Sequence, residues 1–215
     1  EDLPPAPGEP PYKGLAYFST KDKVIFFGRE KLSDELADRL QTTSFLAIMG
    51  ASGSGKSSLL RAGIIPRLEE RNWRIHIIKP GTHPLAALAA SLTRDELDPA
   101  TTNTIGNALA TNANTLHQTA EKLIARTHAE RLLLAVDQFE ELFTQCKDSQ
   151  EQKAFVDNLV SAAQAQGAVT VLLSMRADFY GRISQFHNLP DLISQEQVYI
   201  KPMAEEDLVR AIAEP

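Results

Sequence analysis

Residues 45–61 read FLAIMGASGSGKSSLLR. A short apolar run passes into a glycine-rich turn and the turn into a helical pattern. The turn, Gly50-Ala51-Ser52-Gly53-Ser54-Gly55-Lys56-Ser57, fits the G-x-x-x-x-G-K-[ST] form of a phosphate-binding loop in the strand-then-helix setting which that form requires. Phosphate oxygens need several amide donors converging on one point, and small residues let the backbone wrap that closely. Gly50, Ser52, Gly53, Ser54 and Gly55 are expected to make this nest, and the helix start at Lys56, Ser57 and Ser58 adds unpaired N–H groups and the positive end of a dipole. Lys56 brings a charge for the β- and γ-phosphates, and the Ser57 hydroxyl is a ligand for Mg²⁺.

Outward from the loop, apolar runs alternate with helical patterns. Strands are expected at Phe45–Met49, Arg74–Lys79, Leu132–Val136, Val169–Met175 and Val198–Lys201. Helices are expected at Arg29–Leu40, Lys56–Ile65, Pro84–Leu92, residues 139–145, residues 151–166, Asp178–Phe186 and Glu205–Ala213. Pro66 should kink or end the helix that follows the loop. Residues 93–130 are poor in large apolar groups and predict one or two exposed helices. The alternation implies an α/β fold with a parallel sheet and helices on both faces. Residues 1–11 hold five of the twelve prolines and predict an extended linker ahead of a domain over residues 12–215.

Composition narrows the function. The chain has 215 residues, 43% of them hydrophobic and 23% charged, with 22 Lys and Arg against 28 Asp and Glu for a net charge of −6. No basic stripe advertises nucleic acid, so a nucleic-acid motor is disfavoured. No apolar stretch approaches the roughly 18 residues that cross a bilayer, and a single cysteine, Cys146, rules out an internal disulfide. A cytoplasmic protein with no membrane contact is expected.

The chemistry beyond the loop lies at two strand ends. The segment LLLAVDQFEELF places Asp137 at the carboxyl end of a buried apolar strand, where a carboxylate holds Mg²⁺ or its water beside Ser57. Glu140 and Glu141 follow at the rim. A carboxylate there orients and deprotonates an attacking water, a role given first to Glu140 and second to Glu141; either also serves to cap a helix start. The fourth strand ends in Arg176, placed to sense a γ-phosphate or stabilise developing charge, or else to pair with Asp178 or Glu141. The catalytic candidates are therefore Lys56, Glu140, Glu141 and Arg176, with Ser57 and Asp137 for the metal.

Several segments together carry a resemblance: Tyr12-Lys13-Gly14-Leu15 with Phe18, Phe26-Phe27-Gly28-Arg29-Glu30, the loop running into Leu59 and Arg61-Ala62-Gly63, Val136 to Phe143, and Ser174-Met175-Arg176. In this order they resemble the STAND NTPases, and within them the novel STAND group found in large bacterial signalling and defence proteins, often joined to WD-type repeats. The resemblance implies a P-loop NTPase core with a five-stranded parallel sheet in the order 5-1-4-3-2. It implies ATP and ADP as ligands, with Phe27, Gly28 and Arg29 against the adenine and ribose. The pattern Asp137-x-x-Glu140-Glu141 is similar to that of the related NACHT group and supports Glu140 over Glu141. It implies a switch that hydrolyses ATP and self-associates under the control of sensor and effector domains outside this chain. The family's helical lid and winged-helix segment are not matched here, so an excised core with slow or absent hydrolysis is expected. A nucleotide-binding assembly scaffold without turnover is the alternative.

Overall fold

A computed structural model of the chain describes residues 17–96, 98–165 and 167–214. The expected linker over residues 1–11 and the Tyr12-Lys13-Gly14-Leu15 segment lie outside the described residues. A 3₁₀ turn, Thr20–Ile25, leads into α1 (Glu30–Thr42) and then β1 (Phe45–Gly50). The loop follows, and its helix runs as α2 (Lys56–Ser58), a π-helical segment (Leu59–Ile64) and α3 (Ile65–Glu69). Then come β2 (Arg74–Ile78), α4 (Pro84–Leu92), α5 (Pro99–Thr111), α6 (Thr115–Thr127) and β3 (Leu132–Val136). The rest is α7 (Glu141–Thr144), α8 (Ser149–Gln164), β4 (Val169–Arg176), a 3₁₀ stretch (Ala177–Gln185), α9 (Leu189–Gln195), β5 (Gln197–Tyr199) and α10 (Glu205–Ala213).

The five strands form one sheet in the order β2-β3-β4-β1-β5, with every pairing parallel. This is the expected order. The apolar runs of β1 and β3 are buried along their whole length because helices cover both faces, and alternate side chains enter opposite cores. Phe45, Ala47 and Met49 of β1 join the larger core under α4, α6 and α8, while Leu46 and Ile48 join the smaller one under α1 and the loop helix. Leu132, Leu134 and Val136 of β3 divide from Leu133 and Ala135 in the same way.

Some expectations need correction. The helix after the loop passes through Pro66 and ends at Glu69. Proline removes one backbone donor and crowds the preceding turn, and the wide π-helical turn just before it, where the Ile65 N–H reaches back to Leu60 O, opens that turn. Residues 93–130 hold two helices whose inner sides are buried at Leu109, Leu116, Ala120 and Leu123. Asn158 of α8, itself buried, ties them down: its amide donates to Leu109 O at 2.8 Å and its carbonyl accepts from Leu116 N at 3.2 Å. The segment after β4 is 3₁₀ rather than α, with Ile183 and then Phe186, three residues on, buried in the larger core. The fifth strand is Gln197–Tyr199, which starts one residue and ends two residues earlier than expected, although Ile200 N still donates to Met49 O at 2.7 Å.

Register decides what the fold positions. Gly50 pairs with Arg176, and Val136 pairs with Leu173, so the carboxyl ends of β1, β3 and β4 finish side by side. In open parallel sheets the crevice at such ends is where ligands bind.

Candidate functional site

The loop leaves β1 at Gly50 and enters α2 through Gly55, whose φ of +85° is a left-handed conformation that a side chain would strain. Ala51, Ser52, Gly53 and Gly55 are exposed, so the turn is open to solvent. Lys56 Nζ bends back over the loop, donating to Gly50 O at 3.1 Å and Ala51 O at 2.7 Å, and lies 3.4 Å from Ser54 Oγ. Burial lowers the Lys56 pKa, with Glu140, Asp137 and Asp178 acting against that shift and Arg176 with it. The expected lysine, acids and arginine thus share one electrostatic neighbourhood.

Ser57 and Asp137, eighty residues apart in sequence, meet. Ser57 Oγ donates to Asp137 Oδ1 at 2.9 Å, and Asp137 is 0% exposed at the end of β3. The next residue, Gln138, adopts φ +55°, and this turn lets Phe139 N donate to Ser174 O at 2.9 Å while the Phe139 ring is buried in the core. Left-handed backbone at a non-glycine residue carries strain of about 1 kcal/mol or more and gathers at functional sites. Here it directs Glu140 back toward β4, where Glu140 Oε2 accepts from Arg176 N at 3.2 Å. Glu141 begins α7 and is half-buried.

Arg176 is engaged by an acid two residues further along the chain. It forms a two-pronged pair with Asp178, Nε to Oδ1 at 3.1 Å and Nη2 to Oδ2 at 2.8 Å, and lies 5.6 Å from the Phe179 ring centroid. Each partner favours the other's charge, so the Arg176 pKa is raised and that of Asp178 lowered. Of the structural pairings foreseen for this arginine, the Asp178 one is present. The Ser58 hydroxyl accepts from Phe18 N at 3.2 Å.

The Phe27-Gly28-Arg29 segment sits beside the loop through β5. Arg29 Nη2 donates to Lys201 O at 2.7 Å, one residue past Ile200, whose carbonyl approaches Gly50. Burial lowers the Arg29 pKa and Asp207 opposes that shift. Gly28, at φ +82°, lies so close to α10 that a Cβ would stand 2.4 Å from Asp207 O. A cleft of about 320 Å³ opens here between Arg29, Glu35 and Asp207. Phe27 is half-buried and is not among the residues lining this cleft.

Arg61 was not among the site residues expected from sequence. Its Nη2 stands 3.4 Å from Asp137 Oδ2, and its guanidinium lies 4.4 Å from the Tyr17 ring centroid. The sequence held half of the signal, since Arg61 follows Ser57 by one helical turn and shares its face. The other half, the approach of Asp137 from 76 residues away, is tertiary.

The donor set suits Mg²⁺. Ser57 and Asp137 offer hard oxygens, and no cluster of three or more His, Cys, Asp or Glu residues forms a metal cage among the described residues. Mg²⁺ is commonly held by one or two protein oxygens, with waters and phosphate oxygens completing the shell.

A match to the Novel STAND NTPase 1 family spans residues 11–215, nearly the whole chain. The chain belongs to that family. As a novel STAND NTPase it is a nucleotide-binding P-loop module. Its fold is similar to that of the Walker-type ATPase PABY2304 of Pyrococcus abyssi, with a TM-score of 0.63 and 18% identity over 94% of this chain and 60% of that one. It is also similar to the ORC2 protein of Aeropyrum pernix in ADPNP–ADP complexes, with a TM-score of 0.58 and 15% identity over 86% of this chain and 50% of that one. Cdc6p from Pyrobaculum aerophilum gives a TM-score of 0.52 and 13% identity over 97% and 52%. The novel STAND chain thus spans only about half to 60% of these proteins' length. No curated protein sequence matches it. None of its described helices is long and apolar enough to cross a membrane.

Proposed function

We propose that the chain is the ATP-binding and ATP-hydrolysing module of a larger cytoplasmic signalling or defence protein, and that nucleotide exchange controls self-association. The observation that carries this reading is the Ser57–Asp137 hydrogen bond beside the loop, with the Glu140 and Asp137 charges both acting on Lys56. On this reading the loop amides and Lys56 hold the β- and γ-phosphates, and Ser57 and Asp137 hold Mg²⁺, which would neutralise phosphate charge. Glu140 orients a water and accepts its proton as that water attacks the γ-phosphorus and ADP departs. Arg176 stabilises the developing charge once Asp178 releases it. Phe27, Gly28 and Arg29 lie toward the base. The partners on this reading are nucleotide and the effector and sensor domains, such as WD-type repeats, that the family resemblance implies; the net charge of −6 weighs against nucleic acid.

A second reading is an assembly scaffold that binds nucleotide without turnover. It is favoured by the present engagement of both groups needed for chemistry, Glu140 with the Arg176 amide and Arg176 with Asp178. Single-turnover ATP hydrolysis separates the two. The hydrolytic reading expects phosphate release from the intact protein and retained ATP in Glu140→Gln. Equal rates in both proteins would remove Glu140 from the mechanism, and stable ATP in the unaltered protein would select the scaffold.

A further inference from the structure

We propose that Arg61 is a positioning residue for the metal-binding carboxylate, held in place by the Tyr17 ring. This rests on the reading of Ser57 and Asp137 as the pair that holds Mg²⁺.

Asp137 is wholly buried, and a buried carboxylate is tolerated only when paired and hydrogen-bonded. Its two oxygens are divided between two residues of one helix. Oδ1 accepts from Ser57 Oγ at 2.9 Å, and Oδ2 faces Arg61 Nη2 at 3.4 Å. Rotation of the carboxylate would break one contact or the other, so together they set which edge faces the loop. Among the described residues, the polar and aromatic partners of the Arg61 guanidinium are Asp137 and Tyr17. Its Nε is buried with no hydrogen-bond partner among the described residues, and Asp137 and the flat face of Tyr17 hold the guanidinium. Lys79 Nζ lies 5.9 Å from the same ring centroid, so a second cation is held at the aromatic ring.

Tyr17 belongs to the segment ahead of α1, and that segment is anchored to the loop helix. Phe18 N donates to Ser58 Oγ at 3.2 Å, the Phe18 and Phe26 ring centroids are 5.8 Å apart, and Ser19 N donates to Asp22 Oδ2 at 2.6 Å. The segment thus touches the helix at Ser58 and Arg61, the residues just beyond the metal pair. Groups that orient a metal ligand without touching the metal typically change metal affinity about 10- to 100-fold when removed.

The test is ATP binding by calorimetry with the 215-residue chain, in EDTA and over a Mg²⁺ titration, for the unaltered protein, Arg61→Ala, Arg61→Lys and Tyr17→Phe. Metal-free ATP affinity should be unchanged in all four, because the loop amides and Lys56 are untouched. The Mg²⁺ concentration for half-maximal tightening should rise about 10-fold or more in Arg61→Ala. It should rise by less in Arg61→Lys, which keeps the charge, and stay unchanged in Tyr17→Phe, which keeps the ring. An unaltered Mg²⁺ requirement in Arg61→Ala overturns the proposal, and so does an equal loss of ATP affinity with and without metal, the mark of a packing role. If Arg61→Ala does not fold, the Lys variant decides by the same comparison. Failure of the unaltered chain to bind ATP in either condition would instead overturn the nucleotide reading on which this rests.

Discussion

Gly63→Ala tests how α1 is seated on the loop helix. An added Cβ at Gly63 would stand 2.3 Å from Ser33 Oγ and 3.2 Å from Leu59 Cδ1 and Phe26 Cε1. Leu59 and Phe26 present flexible far ends of side chains. Ser33 does not, because it is 0% exposed and its hydroxyl donates to Arg29 O at 2.8 Å. Alanine in a helix normally gains up to about 1 kcal/mol over glycine, whereas forcing a buried overlap costs about 1–3 kcal/mol. Moving the Ser33 hydroxyl aside also loses a hydrogen bond worth about 1 kcal/mol. The expected net loss for Gly63→Ala is therefore about 1–3 kcal/mol. Ser33→Ala alone should cost about 1 kcal/mol or less, since Arg29 O still accepts from Ser33 N at 2.8 Å. The double variant removes the atom that clashes and should be no less stable than Ser33→Ala, which gives a coupling of about 1–3 kcal/mol. Urea denaturation followed by circular dichroism measures all four corners of the cycle. A strictly additive double variant would refute the argument, because it would mean that Ser33 is not what limits space at Gly63.

Two further perturbations probe the core and the loop. His76 of β2 is buried, its Nδ1 lies 3.0 Å from Ser91 Oγ, and burial, with Arg94 and Arg74 nearby, lowers its pKa to about 4. Relative to an unfolded value of about 6.5 the folded state binds fewer protons, so this contribution is complete above pH 6.5 and is lost as pH falls toward 4, by about 3 kcal/mol in all. On acidification through that window the unaltered protein should lose about 3 kcal/mol of stability relative to His76→Leu, and parallel curves would contradict the assignment. Lys56→Ala should abolish ATP binding in calorimetry while shifting stability by no more than about 1 kcal/mol, because among the described residues its ammonium hydrogen-bonds to loop oxygens. Retained ATP affinity would remove Lys56 from the phosphate site.

The phosphate loop and the strand leading into it were legible because both are local. A contiguous pattern sets the turn, and an apolar run with no polar alternation declares a strand buried on both faces. Asp137 was legible for a related reason, as an acid ending such a run. Helix boundaries near Pro66 were less so, since a π-helical turn depends on how the helix seats against its neighbours. The inner sides of α5 and α6 were likewise underrated, because Leu109 and Leu116 are sparse in sequence and enter one core only once α8 packs on both helices through Asn158.

Residue identity and spacing thus sufficed for the fold class, the family resemblance and the groups available for chemistry. Their arrangement required the parallel register. Pairing Gly50 with Arg176 and Val136 with Leu173 brings Ser57 to Asp137 and the Glu140 carboxylate to the Arg176 amide. The Arg176–Asp178 pair is local, two residues apart, whereas the turn through Ser57 aims Arg61 at the same buried carboxylate only once β3 is in place. Spacing along a chain determines which residues share a face of one element. Contacts between elements depend on packing summed over the whole core, and no single stretch of sequence contains that sum.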